Sequence, residues 1–113
     1  MKFLGATILV LLTSFSALAQ DNEVTCKVKV NSEIQFDFIL ASPEGQKIKI
    51  GDFEAFRVFL NHTANNQFSL EVFDGDLAMR TYSDAPLRTL NDEITHTIWK
   101  RDVLFETTCQ LHK

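Results

Sequence analysis

EVTCKVKVNSEIQFDFIL, residues 23–40, decides how the rest of the chain is read. Val24, Cys26, Val28 and Val30 alternate with Thr25, Lys27 and Lys29, and Ile34, Phe36, Phe38 and Leu40 alternate with Gln35, Asp37 and Ile39. Successive side chains of a strand point to opposite faces, so each run has one apolar face and one wet face. The same period of two recurs downstream, and no helical period competes with it. The expected fold is all-β: a single small antiparallel β-sandwich of about eight short strands, Ig-like in general architecture, with a small β-barrel as the second choice.

Turn chemistry predicts how these runs pair, because opposed residues must share a face. Between Val30 and Ile34 a three-residue loop sets Val28 against Phe36, Cys26 against Phe38 and Lys27 against Asp37, whereas a two-residue turn opposes Val28 to Gln35. In ASPEGQ, Pro43 and Glu44 with Gly45 left-handed make a hairpin loop between Ser42 and Gln46, so that Leu40 faces Ile48 and Phe38 faces Ile50. In FDGDL, Asp74-Gly75 suits a two-residue type I′ turn, pairing Val72 with Leu77, Leu70 with Met79 and Phe68 with Thr81. Opposing Leu60 to Phe68 places Val58 against Leu70 and Arg57 against Glu71. The last strands run from about Glu93 to Trp99 and from about Val103 to Leu111, and residues 83–92 form the longest irregular stretch.

Residues 1–19 read as a signal peptide, with Lys2, an apolar run from about Phe3 to Leu12 and a small-residue stretch ending at Ala19. That core is too short for a membrane anchor, and no later segment spans a bilayer. Residues 20–113 form one disulfide-linked all-β domain. The chain carries 11 Lys and Arg against 15 Asp and Glu, a net charge of −4, which argues against nucleic acid as a partner. The expected location is exported, periplasmic or extracellular.

Cys26 and Cys109, the two cysteines, both fall on the apolar parity and make one disulfide in an exported chain, joining first and last strands through the core near Phe38. No Cys-x-x-Cys spacing suggests redox chemistry. His62 falls in a loop and His112 near the terminus, while His96 shares the parity of Ile94 and Ile98 and reads as a half-buried ring with a satisfied nitrogen. The histidines are too scattered for a metal cluster, and Asp52, Asp74 and Asp76 lack the spacing of a calcium loop. Nothing resembles a nucleophile elbow, a zinc-peptidase helix or a phosphate loop, so neither an enzyme nor a cofactor is expected.

Two surfaces stand out. In the registers above, Lys27, Lys29, Lys47 and Lys49 project from one outer face of the first three strands, which suits an acidic protein or an anionic envelope polymer. Phe59, Phe73, Tyr82 and Trp99 fall opposite the inward residues of their strands and form a candidate aromatic patch for a partner or a sugar ring. The expected function is that of a small exported, non-enzymatic binding protein, of undetermined oligomeric state. One alternative is an inhibitor of a secreted hydrolase, lysozyme or protease, wedged in by an ordered loop at 83–92 or 61–67. A structural subunit of a cell-surface assembly is the other, and its sign is an unpaired apolar edge strand.

Overall fold

The computed structural model describes residues 22–112, and the segment read as a signal peptide lies outside them. Eight strands follow in order: β1 (Asn22–Val30), β2 (Glu33–Ser42), β3 (Gln46–Phe53), β4 (Phe56–Ala64), β5 (Gln67–Asp74), β6 (Met79–Pro86), β7 (Glu93–Lys100) and β8 (Val103–Leu111). They form two four-stranded sheets, a first with order β2-β1-β8-β7 and a second with order β3-β4-β5-β6. Each strand pairs antiparallel with the next, except at β2/β3 and β6/β7, where the chain crosses between sheets; β8 returns to pair with β1. The molecule is therefore a meander folded into two layers. Two unpaired seams make it a sandwich rather than a closed barrel, and its connections lack the Greek key of immunoglobulin domains.

The inward residues are those that alternation selects. Val24, Cys26, Val28, Phe105 and Cys109 of the first sheet meet Phe56, Val58, Leu60, Phe68, Leu70 and Val72 of the second, all buried. Phe105 stacks on Phe56 at 4.3 Å between ring centroids, and Leu87, just after β6, is fully buried as a plug. Each such side chain contributes about 1.5–3 kcal/mol relative to exposure, enough to hold the strand faces against any slip by one residue.

Register follows from details of the turns. The β1–β2 pairing sets Val28 against Phe36, Cys26 against Phe38 and Lys27 against Asp37, as expected. The loop itself is shorter than the three residues expected. Asn31 and Ser32, with φ of 53° and 69°, make a two-residue turn of the I′ kind, and the extra residue is Gln35, bulged out of β2. A bulge inside the strand corrects the faces as a longer loop does.

The ASPEGQ hairpin does not form. Gly45 takes the left-handed conformation, φ 82°, and Gln46 N–H donates to Pro43 C=O at 3.2 Å, but the turn is a corner between sheets. β3 pairs with β4, setting Ile48 against Leu60, so Leu40 and Phe38 have no ladder partner on β3. The Asp74-Gly75 turn is also corrected: β5 and β6 join through residues 75–78, with Val72 opposite Thr81, Leu70 opposite Ser83 and Phe68 opposite Ala85. The Asp74 carboxylate accepts from Asp76 and Leu77 N–H, which holds the wider loop, and Gly75 N–H donates to Ala55 C=O at 2.8 Å. Between β4 and β5, Leu60 faces Leu70 and Arg57 faces Phe73, two residues from the expected register. A bulge at Thr63 and the turn Asn65-Asn66, both at positive φ, absorb the difference. The stretch 83–92 is half strand, since β6 continues to Pro86.

The disulfide is present but does not cross the core. Cys26 and Cys109 stand directly opposite on adjacent strands of one sheet, because the last strand completes the sheet that the first began. Polar groups clasp the seams instead. His62 lies on β4, buried, not in a loop; its Nδ1–H donates to Ser42 C=O of β2 at 2.8 Å and its ring stacks on Phe68. His96 of β7 reaches β6, with Thr81 Oγ1 2.7 Å from Nε2 and Ser83 Oγ 2.6 Å from Nδ1. Lys100 of β7 donates to Asp74 of β5 at 2.9 Å.

Candidate binding surfaces

The four lysines do not share a face. Lys27 and Lys29 lie on the outer side of the first sheet, Lys47 and Lys49 on the outer side of the second, because β3 turns away from β2 at the Ser42–Gln46 corner. The aromatic set is divided too. Phe59, Phe73 and Tyr82 sit on β4, β5 and β6 of the second sheet, while Trp99, 77% exposed, stands on β7 of the first. Each parity read from sequence holds, but the grouping changes.

Five of the eight candidates consequently meet on the outer face of the second sheet. One row across its four strands reads Lys49, Phe59, Glu71, Tyr82; the next reads Asp52, Arg57, Phe73, Arg80; a third reads Lys47, Asn61, Ser69, Asp84. Glu71, at the centre, is only 6% exposed. Its two carboxylate oxygens each hold a cation, Lys47 at 2.7 Å and Arg80 at 3.0 Å. Those cations also lie over rings, Lys47 over Phe59 and Arg80 over Phe73, each 4.9 Å from the centroid. Arg57 approaches Phe73 from the other side at 5.9 Å, and Lys49 bonds Asp52 at 3.0 Å. A carboxylate thus fixes two cations, and the cations brace the rings.

The surface pairs its own charges. Lys47, Lys49, Arg57 and Arg80 face Asp52, Glu71 and Asp84, so little excess positive charge remains for long-range attraction. Arg57, Glu71 and Arg80 were not singled out from sequence as members of the site. Their signal lay in the same outward parity as Phe59, Phe73 and Tyr82, which becomes legible only with the correct register.

The outer face of the first sheet differs. Thr25, Lys27, Lys29, Asp37, Glu93, Thr108 and Gln110 line an open groove of about 330 Å³, with side chains of both charges. Its aromatic candidate, Trp99, is not among the lining residues.

The remaining polar clusters link strands to one another. Burial lowers the pKa of His96, and both its ring nitrogens are engaged by hydroxyls. Asp74 and Asp76 converge on Lys100, and Asp52 belongs to Lys49 and Arg57. Burial raises the Asp74 pKa, but hydrogen bonds from Lys100, Asp76 and Leu77 outweigh it and the net shift is downward. Among the described residues no three His, Cys, Asp or Glu side chains converge as metal ligands do.

Of the two candidate loops, 61–67 is strand and a tight turn. Residues 87–92 are braced: Asp92 accepts from Arg88 and Thr89 N–H at 2.8 and 3.0 Å, and Leu90 is left exposed. Fold and surfaces together define a two-layer β-meander with one aromatic-cationic face. No family model matches the chain, and neither a characterised protein nor a solved structure is significantly similar to it.

Proposed function

We propose that this is an exported, non-enzymatic binding domain that engages a protein partner through the outer face of the β3-β4-β5-β6 sheet. The observation that carries the reading is the lattice in which Glu71 fixes Lys47 and Arg80 over Phe59 and Phe73, with Tyr82 57% exposed beside them. Rings and arginines held in place lose little entropy on docking, and Tyr and Arg are the side chains in which binding energy concentrates. A flat sheet face suits a macromolecular surface better than a small ligand, which needs a concave site. The internal pairing of its charges favours a protein over an anionic polymer, whose attraction depends on unpaired cations. Export accords with the N-terminal segment and with the Cys26–Cys109 disulfide, which an oxidising compartment sustains.

The inhibitor reading has one supporting feature, the braced 87–92 segment with Leu90 exposed. A single set of pull-downs from envelope and secreted fractions separates the readings. The expected outcome is a partner retained by the oxidised wild type, by Lys27→Glu with Lys29→Glu and by Leu90→Asp, but lost from Tyr82→Ser with Arg80→Glu. Retention by that last variant removes the proposal, and loss from the Leu90 variant alone transfers the function to the loop. A polyanion column at low salt tests the polymer reading, with elution below about 0.15 M salt expected from the weak excess charge.

A further inference from the structure

Each of the four edge strands must avoid pairing with a stranger. β3 carries Lys47 and Lys49 and a bulge at Ile50; β6 carries Arg80 and ends at Pro86; β7 has charges only at its ends, Glu93 and Lys100, but is clasped to β6 through His96. β2 is different. Beyond the bulge at Gln35 it runs regularly from Phe36 to Ser42, FDFILAS, with no lysine, proline or glycine and one charge, Asp37. Phe38 and Ile39 on its two faces are 61% and 51% exposed, and Phe38 is uncovered although it has inward parity, because β3 belongs to the other sheet.

The backbone at this edge can be assigned. Cys26 and Cys109 lie 4.1 Å apart at Cα, the close spacing of a non-hydrogen-bonded antiparallel pair. Cys26 therefore turns its N–H and C=O toward Phe38, its partner on β2. By alternation Asp37, Ile39 and Ala41 turn theirs to the open edge.

We infer that this edge binds the same edge of a second copy, β2 antiparallel to β2, about a two-fold axis through Ile39. That register opposes Asp37 to Ala41, Phe38 to Leu40 and Ile39 to Ile39 of the second copy. Every outward N–H and C=O of Asp37, Ile39 and Ala41 then meets one of its counterparts; Phe38 faces Leu40 on one side of the joined sheet, and on the other Ile39 faces Ile39, flanked by Asp37 against Ala41. Charge selects among the registers. Centring the axis on Asp37 opposes two carboxylates, while centring it on Phe38 brings Ala41 against the bulged Gln35 and loses a rung. A pairing of like with like closes on itself, and the guards on β3, β6 and β7 stop it at a dimer. Both copies keep the outer face of β3-β4-β5-β6 clear, so the dimer presents the proposed binding face twice.

Sedimentation of the oxidised chain, with amide exchange followed at single residues, tests this. The expected result at about 0.5 mM, a concentration suited to a small interface, is a dimer in which exchange at Asp37, Ile39 and Ala41 is roughly tenfold or more slower than in dilute protein. Ile39→Lys, which sets two ammonium groups across the axis, and Ile39→Pro, which removes one outward donor and spares the β1 ladder, both give monomers; Leu90→Lys stays dimeric. A wild-type monomer at that concentration, dimers in both Ile39 variants, or a dimer without the slowed exchange each overturns the inference.

Discussion

His96 joins the two sheets at the β6/β7 seam while sitting 6% exposed between two hydroxyls. Burial disfavours its charged form, so its pKa lies below the ordinary value of 6.5. The unfolded chain then binds a proton more readily than the folded one, and stability falls as pH drops below 6.5, toward the folded pKa. Asp74 behaves oppositely to its burial: its lowered pKa stabilises the fold above 3.8 and is lost only in more acid solution. Urea midpoints between pH 7.5 and 4.5 are expected to decline for the wild type and to stay nearer constant for His96→Gln. Parallel profiles would mean that His96 is not the group responsible. The parity of His96 and its satisfied ring are legible in THTIW; its partners Thr81 and Ser83 are not, because they sit across a seam that no local pattern marks.

At the scale of elements, turns and bulges together set register. Ser32 sits at φ 69° with no glycine to ease it, a conformation that costs a non-glycine residue roughly 1 kcal/mol. Ser32→Gly is expected to raise stability by about 0.5–1 kcal/mol, read from the denaturation midpoint. Asn31, also left-handed, accepts Leu104 N–H through Oδ1 at 2.8 Å, so Asn31→Ala moves the midpoint the other way. An equal response at the two positions would contradict this division of roles. Alternation alone points to a three-residue loop here, because the bulge at Gln35 that lets the two-residue Asn31-Ser32 turn serve is invisible to turn rules. Asp74-Gly75 misleads in the opposite sense. Its aspartate caps a wider loop and anchors Lys100, and its glycine allows the approach to Ala55 C=O, at 3.2 Å from where a Cβ would stand.

For the whole molecule, the β8–β1 ladder is the closure of greatest sequence separation, and the disulfide fixes it across 83 residues. Replacing both Cys26 and Cys109 by alanine is expected to cost about 2–5 kcal/mol, a large share of a typical stability of about 5–15 kcal/mol. An unchanged urea midpoint would show that the ladder closes unaided. By itself the sequence determined that the chain is all-β, which side of almost every residue faces inward, and that Cys26 and Cys109 meet. Alternation and apolar burial are local and repeat every two residues, so they survive without tertiary information. Only the tertiary structure decided which strands are neighbours. Shifting β5 against β6 by four residues, or β4 against β5 by two, leaves every face unchanged, and turning β3 into the other layer at Gly45 does not disturb its alternation. Those choices regrouped the candidate surfaces, parting Lys27 and Lys29 from Lys47 and Lys49 and setting Phe59, Phe73 and Tyr82 around Glu71, because a face is shared only by strands that pair.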